Sequence, residues 1–249
     1  MSGFRTPRRG ERLIAISPHH DDAVLSVGAT LAHLADAGVD VHVLTVFSGD
    51  PTQDRAPGAS NRRAGFMTTG EAARARRRED DEACALLGVH TIRLPFDDDE
   101  ASARDPDAIG AALQTQLVAA DIVLLPGSPL VHPDHLLVAR VAAARHAAAH
   151  SLGLYLEQPY ATWQALSRSS VSSLSRGRRS APPAPLVDAG PVDWQRSVSC
   201  LRCRLRKLAA MGAYRSQLKV LRRWPRGRIA AHEMLAGGER VAWPSWPEP

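Results

Sequence analysis

Cysteine is scarce in this chain: Cys84, Cys200 and Cys203 are all it has. An odd count without a spaced framework argues against a disulfide-stapled scaffold and for reduced thiols. Aromatic residues make up only 5% of the 249 positions. With Ala and Leu abundant, that favours helices and short apolar strands over an all-β sandwich. Long apolar runs are missing as well; nothing approaches the ~20 residues needed to span a bilayer. The basic N-terminal stretch leads into an apolar segment only a strand long, which is not a secretory signal. The expectation is a cytoplasmic protein with no membrane partner. Acidic residues are outnumbered, 26 against 31 Lys and Arg, for a net charge of +5. The arginine excess lies in the first dozen residues and after residue 167, so it belongs to the flanks.

What is present is a hydrophobic fraction of 44%, enough for one sizeable core. Leu13 to Ser17 reads as a buried strand. Ala23 to Ala37 carries apolar residues at helical spacing, with Gly38 as a stop. Val39 to Phe47 is β-branched and alternating, a second strand. Strand, helix and strand within ~40 residues make a βαβ unit and imply a parallel sheet. Ser48 to Gly70 is a long loop rich in Gly, Pro, Ser and Asn. The alternation then continues: a helix over Glu71 to Leu87, a strand at Thr91 to Phe96, a helix over Pro106 to Ala119, a strand at Asp121 to Leu125, a helix over His135 to Ala149 and a strand at Gly153 to Leu156. Ser167 to Pro185 is basic and low in complexity, a surface loop. A long helix from Trp194 to Arg223 and a short strand at Glu239 to Trp243 close the pattern. The expected architecture is a single α/β domain, 1–249, with a Rossmann-like, doubly wound, mostly parallel sheet and a C-terminal helical extension.

The first strand runs straight into Ser17-Pro18-His19-His20-Asp21-Asp22. Ligands of open α/β sheets bind outside the carboxyl ends of the strands. Two adjacent carboxylates there repel and desolvate poorly unless a cation compensates. The plainer alternative is a polar turn in which Asp21 or Asp22 caps the helix, yet capping needs only one of the four side chains. A second cluster, His132-Pro133-Asp134-His135, follows the fourth strand and returns to the same sheet edge. A catalytic zinc takes three protein ligands and keeps one position open. His19, Asp22 and His135 supply three.

The string His19-His20-Asp21-Asp22, with Leu25-Ser26-x-Gly28 and the later His132-Pro133-Asp134-His135, resembles the LmbE-like or PIG-L superfamily of zinc-dependent de-N-acetylases. Arg76-x-x-Glu79, Tyr155-x-Glu157-x-Pro159-Tyr160 and Lys207-x-x-Ala210-x-x-x-Tyr214-x-Ser216-Gln217 are similar to further landmarks, so the likeness covers most of the chain. It implies Zn2+ on His19, Asp22 and His135. It implies Asp21 as the general base, and His132 as the oxyanion stabiliser oriented by Asp134. It also implies an N-acyl amino sugar or glycoside as small-molecule substrate, for example an acetylglucosamine unit of a natural product. A mycothiol-type thiol-sugar amide is the alternative, and a metal-dependent phosphoesterase a more distant one. Two departures, His20 where the family often has Pro and Ala23 where it has Glu, leave the metal set intact but unsettle substrate transfer. His20 is not expected as a fourth ligand, since a catalytic site needs an open position.

Weaker signals surround these. Arg76, Asp97 and Tyr160 are candidates for substrate contact. The alternatives are a solvated arginine, an acidic surface turn and a packing tyrosine. Cys200-x-x-Cys203 is a single pair without a second pair to complete a zinc site; on one helix face it reads as core packing. The basic segments contain no groove-reading or stacking motif, so no nucleic-acid partner is expected. Nothing in the sequence fixes the oligomeric state.

Overall fold

In strand β1 (Arg12–Ser17), Leu13 and Ala15 face one side of a sheet and Ile14 and Ile16 the other, and all four are buried. A strand covered on both faces belongs at the centre of a parallel sheet. The computed structural model describes residues 6–50, 54–98, 104–145, 151–162, 179–180, 192–197, 199–220 and 238–244. The remaining elements are α1 (Asp22–Asp36), β2 (Asp40–Thr45), α2 (Ala59–Ala64), α3 (Thr69–Leu87), β3 (His90–Arg93), α4 (Pro106–Leu117), β4 (Ile122–Ser128), α5 (Pro133–Arg145), β5 (Ser151–Leu156), β6 (Arg179–Ser180), β7 (Val192–Asp193), β8 (Gln195–Arg196), α6 (Leu201–Ala213), α7 (Arg215–Val220) and β9 (Arg240–Ala242). The main sheet has the order β3-β2-β1-β4-β5-β9-β8. Its first five strands are parallel; β9 and β8 add an antiparallel edge, and β6 pairs separately with β7.

Helices cover both faces. Leu13, Val41, Val43 and Leu124 pack with α1, α3 and α6, through residues such as Val24, Leu31, Leu87 and Ala210. Ile14, Ile16, Leu44, Val123 and Leu125 pack with α4 and α5, through Ile109, Leu113 and Val138. The doubly wound, mostly parallel architecture is therefore the one the alternating pattern predicts. No helix among the described residues is long and apolar enough to cross a membrane.

Three sequence expectations change. The long loop at 48–70 contains α2. The helix expected from Trp194 to Arg223 is β8 followed by α6 and α7, with Gln195 and Arg196 paired to β9 instead of helical; 221–223 lie outside the described residues. Within the expected loop at 167–185, the described residues form β6, and the rest lie outside the description. Local helical spacing in the chain before α6 lost to pairing with the open edge of β9, a tertiary choice that propensity does not encode.

The C-terminal elements lock onto α1. That helix breaks at Val27 (φ −133°, ψ 16°). The Glu239 carboxylate accepts the Ala29 and Thr30 N–H groups just past the break, at 2.8 and 2.7 Å, doing for the second half of the helix what a cap does at a start. Lys207 Nζ, fully buried, lies 2.7 Å from the same carboxylate. The Lys207 stem passes so close to Gly28 that an added Cβ would sit 3.2 Å from its Cγ. Breaking a buried ion pair from one side costs about 3–5 kcal/mol. Glu239→Ala is therefore expected to lower the melting temperature by roughly 10 °C in a thermal unfolding scan, at ~2–4 °C per kcal/mol for a chain of this size. A shift within a degree or two of zero would show that the pair is not holding α6 to α1.

Candidate active site

β1 and β4 are neighbours in the sheet, but the chain leaves β1 towards β2 on one side and β4 towards β5 on the other. Such a switch point opens a crevice at the carboxyl ends of the two strands. The β1–α1 turn carries His19 to Asp22, and the β4–α5 turn carries His132 to His135, so both clusters meet there.

Three ligand-type atoms form a small triangle. His19 Nδ1 lies 3.2 Å from Asp22 Oδ2 and 3.3 Å from His135 Nε2, and Asp22 Oδ2 lies 3.2 Å from His135 Nε2. A tetrahedral ion with bonds of ~2.0–2.1 Å has ligand-to-ligand edges of about 3.3 Å. The donor set and its spacing therefore fit a zinc-sized cation. His132 also brings a ring nitrogen within 4.8 Å of those of His19 and His135. Its side chain is half exposed, and the tighter triangle is the better cradle.

The outer nitrogens of the two buried rings are held in turn. His135 Nδ1 meets Glu157 Oε1 at 2.5 Å, and the other Glu157 oxygen accepts the Leu130 N–H at 2.8 Å. His19 Nε2 meets Asp134 Oδ2 at 3.2 Å and Asp98 Oδ1 at 3.4 Å. Carboxylates behind ligating imidazoles fix tautomer and ring angle, and losing one costs ~10–100-fold in metal affinity. Glu157→Gln is expected to weaken zinc binding within that range, read by competition with a chromogenic chelator. Unchanged affinity would remove Glu157 from the support of His135.

Asp134 departs from its expected part. Its carboxylate is 4.0 Å from His132 Nδ1, but it takes two guanidinium contacts from Arg104, at 3.0 and 3.1 Å, and the ring of His19. Only its backbone N–H reaches His132, at 3.2 Å from Nδ1. Asp134 thus positions His19 through its side chain and His132 through its main chain. The arginine and His19 hold its carboxyl far below the usual range against the cost of burial.

Asp21 occupies the N-cap position of α1, yet its side chain makes no capping hydrogen bond. Ser17 Oγ takes the Ala23 N–H instead, at 3.0 Å. The capping alternative for Asp21 therefore fails, and its carboxylate lines the cleft. Burial, and then the neighbouring charge of Asp22, raise it to about 7. Asp22 moves the other way: burial opposes its charge, but the His135 and His19 rings pull it far down. His132 is held below the ordinary histidine value by burial and by the His19 and His135 rings.

The cleft is open to solvent, and its free space together with the solvent at its mouth comes to about 940 Å³. Arg76 and Tyr160 line it, with Tyr160 edge-on to the His135 ring at 5.7 Å. Arg76 is buried, not solvated; it pairs with Asp98 and donates to Asn61 Oδ1 at 2.6 Å. Asp97 lies off the main cleft. It lines a small adjoining cavity with His20, and its carbonyl accepts from Arg104 at 2.9 Å. Asp98 faces the cleft in its place. The register arises because Gly49 and Asp97 bridge, and a Cβ on Gly49 would lie 2.6 Å from the Pro95 carbonyl. His20 points away from the triangle, and neither ring nitrogen finds a hydrogen-bond partner among the described residues. Burial, aided by the Arg93 and Arg76 charges and opposed by Asp98, lowers it to about 3.

Sequence reasoning passed over Asp98, Asn61 and Arg104. Arg104 and Asp98 sit beside motif residues only in space, so no spacing announced them. Gln217, by sequence only part of a landmark string, lines the cleft, brought there because Ser216 donates to Glu79 and the Tyr214 hydroxyl donates to the His20 carbonyl at 2.9 Å.

A family profile described as GlcNAc-PI de-N-acetylase (PIG-L) matches residues 14–147, just over half of the chain and the stretch holding both clusters. The 1D-myo-inositol 2-acetamido-2-deoxy-alpha-D-glucopyranoside deacetylase of Rhodococcus jostii (strain RHA1) is 30% identical over 163 residues, 56% of this chain and 54% of that protein. The chain thus spans about half the length of that relative. Among solved structures, the A40926 pseudoaglycone deacetylase Dbv21 superposes with a TM-score of 0.72 at 29% identity, covering 94% of this chain and 96% of that one. The zinc-inhibited form of teicoplanin deacetylase Orf2 gives 0.69 at 25% identity, covering 94% and 97%. The two βα turns, the triangle they build and the profile that spans them agree: this chain belongs to the PIG-L, LmbE-like family.

Proposed function

We propose that this chain is a zinc-dependent amide hydrolase that removes an N-acyl group from an acetylglucosamine-type sugar carried on a larger natural product. The observation that carries the reading is the His19–Asp22–His135 triangle with the Asp21 carboxylate beside it in one cleft. His19, Asp22 and His135 would hold a divalent ion, which would polarise the acyl carbonyl and acidify water. Asp21, buried and raised to about 7, takes the proton of the attacking water and returns it to the departing amine. His132 Nδ1 accepts the Asp134 N–H, which leaves Nε2 as the N–H donor for the acyl oxygen. Tyr160, Pro159 and Leu25 give the cleft an apolar wall, and Asn61, Arg76 and Gln217 a polar one suited to hydroxyls.

The substrate class is supported by the near-full-length likeness to the A40926 pseudoaglycone and teicoplanin deacetylases. The Rhodococcus relative, an inositol-linked glucosamine deacetylase by name, covers about half as much and supports a second reading, deacetylation of an inositol-linked N-acetylglucosamine. Zinc is supported by the donor set and by the zinc-inhibited neighbour. The deciding assay is amine release from a panel of N-acyl glucosamines, teicoplanin- and A40926-type pseudoaglycones and inositol-linked N-acetylglucosamine. It compares protein loaded with one equivalent of zinc against its Asp21→Ala variant. Release confined to the pseudoaglycones supports the first reading, and release confined to the inositol conjugate supports the second. No release from any member with zinc bound removes amide hydrolysis of these sugars.

A further inference from the structure

A second set of metal-ligating side chains lies away from the cleft, where the C-terminal end of α1 meets the N-terminal end of α6. Ring and sulfur atoms of His33, Cys200 and Cys203 all lie within 4.8 Å of one another. Asp36, one turn on from His33, puts Oδ2 4.0 Å from Cys203 Sγ and is itself paired with Arg206. The two cysteines are not the packed pair that helical spacing predicts. Cys200 is the N-cap of α6, exposed, with its sulfur accepting the Cys203 N–H at 3.3 Å; Cys203 alone is buried in the core. Capping swings the first sulfur outside the helix and back over its first turn, so both face His33 across the helix–helix contact.

We infer that His33, Cys200 and Cys203 form a binding site for a thiophilic divalent cation of the zinc type, with Asp36 or water completing it. Two thiolates and an imidazole are a zinc donor set. The helix ends favour it from both sides: the partial positive charge at the start of α6 stabilises thiolate, and the partial negative charge at the end of α1 favours the cation. With Zn–S bonds of ~2.3 Å the sulfur–sulfur edge is about 3.8 Å, so closing the set onto an ion takes at most about 1 Å of side-chain adjustment. The role is a clip. α6 carries Lys207 against α1 and leads to Tyr214, whose hydroxyl holds the His20 carbonyl and Asp80. Pinning the start of α6 to the end of α1 steadies the scaffold behind the catalytic turn without touching it.

The test uses the full chain, reduced and stripped of metal, titrated with cobalt(II) and separately with zinc. The active-site triangle offers only nitrogen and oxygen, so a sulfur-to-cobalt charge-transfer band in the near ultraviolet reports on this second set alone. Two equivalents of zinc and such a band are expected. Cys200→Ser keeps a good helix cap, so the variant folds. It is expected to lose most of the band and more than tenfold of the second affinity while amine release at saturating zinc is unchanged. His33→Gln is expected to weaken the second affinity similarly. One equivalent with no band in the reduced protein overturns the proposal. So does a Cys200–Cys203 disulfide that persists under mild reductant, and so does a band indifferent to both substitutions.

Discussion

Asp21→Asn is expected to lower turnover by about 10²–10⁴-fold, the range that a positioned general base commands, while zinc still binds at the triangle. Asparagine matches the shape but cannot take a proton, and Asp21 is not part of the His19–Asp22–His135 triangle. The pH profile gives a second check. The base must be ionised, so activity falls with pH below the Asp21 value. In the metal-free chain burial and Asp22 place that value at about 7. A cation seated beside it favours the carboxylate, so the acid limb of the zinc-loaded enzyme belongs below 7, at a slope of tenfold per pH unit. In Asp21→Asn that limb should vanish from the residual activity. Turnover within a factor of a few of the parent would assign the base to another group.

The metal triangle was legible because its three members lie in two short strings, each following an apolar strand, and parallel order brings such strings to one edge. The strands themselves were legible because apolar residues at the sheet centre alternate faces or run continuously. Other parts were not. The family resemblance pairs Asp134 with His132, whereas in the structure Arg104, thirty positions earlier, and the His19 ring take its carboxylate. Asp97 and Asp98 are indistinguishable in a run of three aspartates; in the structure Asp97 bridges Gly49 and lines the adjoining cavity, while Asp98 also lines the cleft. The edge strand β8 was read as helix because two residues of pairing leave no periodicity. In the C-terminal landmark string, Lys207, Tyr214 and Ser216 are explained only by partners more than 30 positions away: Glu239, His20 with Asp80, and Glu79.

Zinc affinity at the triangle is expected to rise by ten- to a hundredfold per pH unit from pH 6 to about 8, and to level no lower than about 9. The cause lies in the metal-free rings. Burial opposes charge on His135, but Asp22 and Glu157 outweigh it and raise the ring to about 9. Burial opposes charge on His19 too, and Asp98, Asp134 and Asp22 raise it well above the ordinary value. Without an ion, two imidazolium groups supply the positive charge the carboxylates demand. At neutral pH each must give up its proton before it can ligate, and binding releases those protons. Stability moves with the opposite sign. A raised histidine stabilises the metal-free fold fully below its ordinary value of 6.5, and that contribution is lost as pH rises through about 9. The melting temperature of the stripped protein should therefore fall between pH 7 and 9, while the increment added by zinc grows over the same window. Calorimetric titration with zinc at pH 7, in buffers of different ionisation enthalpy, counts the protons directly. The Cys200→Ser variant limits the count to the triangle. A count near two supports this account of the rings, and a count near zero means that they are already neutral and that the carboxylates around them do not set their charge.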